Sequence, residues 1–233
     1  MSEAILYELR DTVALIQLDD GKANALSHAV IDALHAALDR AETEAAAVVL
    51  AGRPGRFSAG FDLSVMRQGG DAVGELVGAG ARLALRLYEF PLPVVIACTG
   101  HALAMGGILL LSVDYRVGAA GAFKIGLNEV AIGMTLPIFG VEFGRERLSK
   151  RHLARAVAQA EIYDPAGAVD AGFLDTVVPA ESLLDEALSR AGQLAQLNRM
   201  AHRNTKLRLR ADAIAAMRQT LDEDMKGLTA PRA

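Results

Sequence analysis

A chain of 233 residues that is 52% hydrophobic, 5% aromatic and free of tryptophan has room for one large domain with an Ala/Val/Leu-rich interior. Its formal net charge of −4 excludes broad nucleic-acid binding, though not a local basic patch for a phosphorylated ligand. No apolar run reaches the roughly 18 to 20 residues that span a bilayer. The start, Met1-Ser2-Glu3-Ala4, reads as lacking a secretory signal, and the single Cys98 excludes an internal disulfide framework. A lone thiol within an apolar strand fits a core residue in a reducing cytoplasm.

Ile5 to Leu9 and Thr12 to Leu18 read as short strands joined by a tight turn at Arg10-Asp11. Asp19-Asp20-Gly21-Lys22 breaks the pattern, and Ser27 is the expected cap of a helix with Val30, Ile31, Leu34, Leu38 and Ala41 on one face. Ala47 to Leu50 suits a strand covered on both faces. After the Gly52-Arg53-Pro54-Gly55 loop comes Phe57-Ser58-Ala59-Gly60-Phe61-Asp62-Leu63. Asp71 is the expected cap of a helix carrying Leu76, Leu83 and Leu87. Glycines 74, 78 and 80 are expected to weaken that helix and leave its first half mobile.

Pro91 and Pro93 stop that helix before the strand Val94 to Cys98, which runs into Gly100-His101-Ala102-Leu103-Ala104-Met105-Gly106-Gly107-Ile108. Small residues here let the backbone turn tightly into an apolar helix of about two turns. The N–H groups at such a helix start lack partners and can hold an oxygen that becomes negative. Taken alone, the stretch reads slightly better as a tight turn without chemistry. Tyr115 to Val117 and Ala122 to Ile125 read as short strands, and Val141 to Leu148 as a helix. Asp164-Pro165 to Gly172 reads as a helix with proline at its first position, and Ser182 to Leu197 and Lys206 to Met225 as amphipathic helices. No Ser/Gly/Pro-rich linker separates two cores. The expectation is an α/β core over residues 1–190 with a helical region over 191–233.

Five segments stand in a telling order: Gly21-Lys22-Ala23-Asn24-Ala25-Leu26, Phe57 to Leu63, Gly100 to Asp114, Asn128-Glu129-Val130-Ala131-Ile132-Gly133, and Asp164 to Asp175. Together they resemble the enoyl-CoA hydratase/isomerase (crotonase) superfamily over essentially the whole chain. The resemblance implies a crotonase-like spiral of ββα units with a C-terminal helical trimerisation region, assembled as a trimer or a dimer of trimers. It implies acyl-CoA thioester substrates, with coenzyme A entering as part of the substrate and no tightly bound cofactor. The thioester oxyanion would be held by the backbone N–H groups of Phe61 and Met105. The substrate contacts it implies are Lys22, Ala23, Ala25, Ala59, Gly60, Phe61, Asp62, Leu63, Leu103, Met105, Gly106 and Lys206. The Met105 side chain, where the family has glycine, is expected to narrow the pocket.

The chain departs from the family's hydratases at its acids. Those enzymes use two glutamates; Glu129 matches the second, but the first falls on Ile108, which transfers no proton. A single base suffices for moving a double bond, since it removes a proton at one carbon and returns it at another. A Δ3-Δ2 enoyl-CoA isomerase is therefore the preferred reading. A hydratase with an unidentified second acid and a non-catalytic acyl-CoA-binding protein are the alternatives. A serine hydrolase has less support, because no serine stands near Met105 with an evident His and Asp. Blander readings stand beside each residue: Glu129 as a loop carboxylate, Asp62 as the cap of a short helix, His101 as a packed imidazole with one hydrogen bond. Asp114 is expected to anchor a turn. The cluster Arg203, Lys206, Arg208 and Arg210 is either a solvated face or, at Lys206, a contact to the phosphates of coenzyme A. The five histidines show no metal-ligand spacing, so no metal is expected.

Overall fold

The computed structural model describes residues 4–229. β1 (Ile5–Arg10) and β2 (Val13–Leu18) form an antiparallel hairpin in which Ile5 faces Leu18. The turn lies at Asp11-Thr12, one residue later than expected, and Asp11 takes φ +51°, a left-handed conformation that Asp tolerates. The Ser27 side chain accepts from the Val30 N–H and starts α1 (His28–Glu44), which buries Val30, Ile31, Leu34, Leu38 and Ala41.

From there the chain makes one move three times. β3 (Ala47–Ala51), β5 (Val94–Cys98) and β7 (Tyr115–Ala119) each enter a large sheet. β4 (Gly55–Ser58), β6 (Gly100–Leu103) and β8 (Ile125–Gly126) each follow directly into a second, three-stranded sheet of order β4-β6-β8. Helices close the three turns: α2 (Leu63–Met66) and α3 (Gly70–Glu89), then α4 (Met105–Leu111), then α5 (Ile138–Arg147). This is the spiral of ββα units. The large sheet has the order β1-β2-β3-β5-β7-β9, with β9 at Thr176–Val178, and is parallel from β2 onward.

Alternation along the strands feeds two cores. Ala14, Ile16, Val48, Leu50, Val94 and Ile96 pack with α1, α3, α4 and α5. Val13, Leu15, Ala47, Val49, Val95 and Ala97 pack under Leu183, Ala187 and Ala191 of α8 (Leu183–Ala195). A strand buried on both faces reads as an unbroken apolar run, as the sequence does here. The division expected after residue 190 falls inside α8. Ala213 and Met217 of α10 (Ala211–Thr229) join the first core, so the helical tail shares its interior with the spiral.

Several local expectations change. Gly69, not Asp71, caps α3, and Asp71 lies in its first turn. That helix runs unbroken over 20 residues with Gly74, Gly78 and Gly80 all buried. A Cβ at Gly80 would stand 2.5 Å from the Phe61 ring, so glycine there makes room for an aromatic side chain. The strand expected over Ala122 to Ile125 reduces to Ile125–Gly126. α6 (Lys150–Val157), which follows α5, escapes a periodicity reading because it buries only His152 and Ala156. α7 (Pro165–Ala171) begins at Asp164 and ends at Gly172 as expected. The helix expected over Lys206 to Met225 is two helices. α9 (Arg199–Leu209), capped by the Asn198 side chain, ends where Arg210 turns its guanidinium inward, and α10 then begins. The Met225 side chain lies outside the described residues.

Candidate active site

The loop between β2 and α1 is held by its own polar side chains. The Asp20 carboxylate accepts from the N–H groups of Lys22, Asn24 and Ala25 at 2.7, 2.9 and 3.1 Å. Burial raises its pKa, but these donors outweigh that and hold the carboxyl below its ordinary range. Asn24, fully buried at φ +53°, donates to the carbonyls of Leu18 and Phe57 and fastens the loop to β2 and β4. Ser58 Oγ donates to the Asn24 carbonyl. Neither Asn24 nor Asp20 was singled out from sequence. Their signal is an Asp followed four residues later by an Asn at a break between strand and helix.

Against this loop lies the segment after β4. Leu26 donates its N–H to the Gly60 carbonyl at 2.9 Å and accepts from the Asp62 N–H at 3.1 Å. Bridging positions 60 and 62 in this way turns the Phe61 N–H away from Leu26, and among the described residues it has no acceptor. Gly60, at φ +96°, lies against the start of α4: a Cβ there would stand 3.4 Å from Met105 N and 2.9 Å from Ala104 Cβ. The peptide units that carry the Phe61 and Met105 N–H groups are therefore neighbours. Met105 opens α4, so its N–H has no partner within the helix. Ala104 before it adopts φ +51° and ψ −124°, a strained conformation for a residue with a Cβ. At Gly106 a Cβ would run into the Ser58 carbonyl oxygen, so glycine there lets α4 approach the end of β4.

A cavity of about 710 Å³ opens beside Phe61 and Ala104. Lys22, Ala23 and Ala25 line it from the loop, and Ala59, Phe61, Asp62 and Leu63 from the segment after β4. Ala104 and Ile108 come from the α4 side, and Asn128 and Glu129 from the turn after β8. Gly60, Leu103, Met105 and Gly106 stand behind this wall. The Met105 side chain is fully buried and its Sδ-methyl lies 3.4 Å from where a Cβ on Gly80 would be. It does not narrow the cavity, contrary to expectation. Val77, Met134 and Phe139 make much of the remaining lining apolar.

Lys206 is not at this cavity. Its ammonium is enclosed, donating to the Leu92 carbonyl at 3.1 Å and to Asp114 Oδ2 at 2.9 Å. Neither reading given to Lys206 describes that position. From sequence alone this helical cation reads as surface, because its carboxylate partner is 92 residues away. Asp114 also accepts from the Val94 N–H and from Arg210, while Arg203 and Arg208 are exposed. His101 packs edge-on against Phe123 and accepts from the Lys124 N–H. Asp62 caps α2 by accepting from the Ser64 N–H.

Glu129 is 7% exposed, and its Oε2 is buried with no hydrogen-bond partner among the described residues. Burial pushes its carboxyl up to about 7, opposed only by a hydrogen bond from its own backbone. Across the same lining, Ile108 presents an apolar side chain that is 2% exposed. The other carboxylates on the wall, Asp20 and Asp62, are held by backbone N–H groups. The arrangement sets one buried, unpartnered carboxyl near two backbone N–H groups that lack acceptors, the kinds of group that move a proton and hold a developing oxyanion.

A family model described as enoyl-CoA hydratase/isomerase matches residues 8–232. A crystal structure of an enoyl-CoA hydratase/isomerase family protein from Pseudomonas syringae aligns with a TM-score of 0.95 at 46% identity. It covers 97% of this chain and 99% of that one. Human mitochondrial enoyl-CoA delta isomerase 1 is 30% identical over 221 residues, 92% of this chain and 72% of that protein. The 2,3-dehydroadipyl-CoA hydratase of Escherichia coli K12 is 27% identical over 231 residues, 98% of this chain and 90% of that enzyme.

Proposed function

Since this chain belongs to the enoyl-CoA hydratase/isomerase family, we propose that it is a Δ3-Δ2 enoyl-CoA isomerase in which Glu129 is the single acid/base. The carrying observation is that Glu129 is the one carboxylate on the cavity wall, among the described residues, that is not held by backbone N–H groups of other residues. Ile108 occupies the place of a second acid.

In this reading the thioester carbonyl of a 3-enoyl-CoA lies between the N–H groups of Phe61 and Met105. Glu129 removes a proton from C2, and the electron pair passes into a dienolate whose charge rests on the thioester oxygen. The two N–H groups stabilise that charge; losing one such donor typically costs about 3 kcal/mol of barrier. Protonated Glu129 then returns the proton to C4, leaving the double bond between C2 and C3. A carboxyl near pH 7 suits both halves, because one group must accept and then release a proton. The ligand is the coenzyme A thioester itself, with no further cofactor required. The reading includes self-association as a trimer or a dimer of trimers through the C-terminal helices, where Leu197, Met200 and Leu209 are exposed. It also places the enzyme in the cytoplasm.

The test is to supply 3-enoyl-CoA and 2-enoyl-CoA separately and follow double-bond migration and hydration. Migration should dominate, and Glu129→Gln should lower it by roughly 10²- to 10⁴-fold. Hydration faster than migration would replace this reading with a hydratase using a second acid. Acyl-CoA binding without either reaction would leave a binding protein.

A further inference from the structure

A carboxylate on the last helix reaches back to the wall of the cavity that holds Glu129. α10 packs Met217 and Leu221 against the core, and Asp224, three residues after Leu221, continues that stripe at 9% exposure. A charge on an inward stripe needs polar partners there. It finds them at the start of α5. Asp224 Oδ1 accepts from the Ile138 N–H at 2.9 Å, and Oδ2 from the Phe139 N–H at 3.2 Å. The first N–H groups of a helix ordinarily turn to an acceptor side chain just before it. α5 has none, because the residue in that place is Pro137, whose side chain carries no acceptor. Its cap comes instead from a residue 86 positions beyond Ile138, and a carboxylate there also meets the positive end of the helix.

The clasped helix start belongs to the Glu129 cavity, since Pro137 and Phe139 both line it. The chain between Glu129 and Pro137 has little else to hold it. Val130, Ala131, Ile132, Gly133 and Thr135 are exposed. The N–H groups of Ile132 and Met134 donate back to the Glu129 carbonyl at 3.1 and 2.9 Å, so this turn and Glu129 move as one piece. Leu136 then packs beside Gly140, where a Cβ would stand 3.0 Å from Leu136 Cδ1. Glu129 is thus anchored by β8 on one side and, on the other, by a helix end that Asp224 pins. An exposed segment held at its two ends is displaced when either end is released.

We propose that Asp224 is a positioning residue for the reaction at Glu129. Its carboxylate fixes the start of α5, and through it the turn from Glu129 to Pro137 and the Phe139 side of the cavity. The link to turnover rests on the reading of Glu129 as the acid/base; the clasp on the turn does not.

Hydrogen exchange and steady-state kinetics on the full-length Asp224→Ala variant test this, in samples matched to the parent for folded fraction by circular dichroism. Amide exchange over residues 129–140 should quicken about tenfold, while β3 and α1 exchange as in the parent. With 3-hexenoyl-CoA as substrate, kcat should fall about tenfold, because a displaced base is out of reach of the proton it must take. Asp224→Asn keeps one carbonyl acceptor and should recover most of both losses. Arg218→Gln cuts a different tie of α10, the 2.9 Å pair with Glu89, without touching α5, and should change neither readout. Parent-like exchange over residues 129–137 in Asp224→Ala, an unchanged kcat, no recovery in Asp224→Asn, or the same losses from Arg218→Gln would overturn the proposal. A parent that turns over no enoyl-CoA would instead overturn the isomerase reading, and the exchange result would then decide the clasp by itself.

Discussion

At the scale of single residues, Glu129 carries an opposition between stability and chemistry. Its carboxyl is raised from 4.5 to about 7 by burial, so the folded chain binds this proton more tightly than the unfolded chain does. Below the unfolded value both states hold the proton and nothing is lost. As pH rises from 4.5 through 7 the unfolded state ionises first, and folding stability falls until both states are charged. Glu129→Gln removes that titration. Relative to the parent, its unfolding free energy should therefore gain about 2 to 3 kcal/mol between roughly pH 5 and pH 8, while the proposed isomerisation is lost. Urea unfolding of both proteins at the two pH values measures the gain, and a difference independent of pH would show that Glu129 is not buried as a charge. Ile108 and Glu129 were both legible as residue types in a motif. That Glu129 lacks a partner was not, because a missing hydrogen bond is a property of the surroundings.

Among the elements, α4 matters most, since its start holds one donor and its approach to β4 sets the spacing to the other. The strained turn at Ala104 and the absence of a side chain at Gly106 fix that spacing together. Gly106→Ala would push α4 from the Ser58 carbonyl. A cost of about 1 to 3 kcal/mol from overpacking is expected, with kcat lowered by about 10²-fold as the donors separate. Thermal unfolding and steady-state kinetics on the same sample separate the two effects. An unchanged kcat would mean that this spacing does not govern the rate. The loop of Asp20 and Asn24 faces the same segment from the other side. Its adenine-side resemblance was visible in sequence, whereas its fastening to β4 through Asn24 and Ser58 appears only once residues 34 positions apart are brought together.

For the molecule as a whole, the helical tail is tied to the sheet through charge as well as apolar packing. Asp114 pairs with both Lys206 and Arg210, which are buried, at the point where α9 gives way to α10. Removing one partner from such a cluster leaves an uncompensated interior charge. Asp114→Asn should destabilise the fold by about 3 to 5 kcal/mol with the remaining folded enzyme keeping its kcat, since the cluster lines no part of the cavity that holds Glu129. A loss below about 1 kcal/mol in denaturant titration would place these charges effectively in water.

Periodicity and turn chemistry determined the elements that depend on nearby residues: the β1–β2 hairpin, α1 behind its Ser27 cap, the doubly covered strand β3, and α7 between Asp164 and Gly172. The order of the motifs carried the family, and with it the ββα spiral. What needed the tertiary structure were the features set by partners distant in the chain. The break at Arg210, the enclosed ammonium of Lys206, the room for Phe61 at Gly80 and the inward burial of Met105 are of this kind. Local sequence encodes backbone preference and which face is apolar; whether a charge is solvated or a backbone donor is left open depends on what the fold places against it.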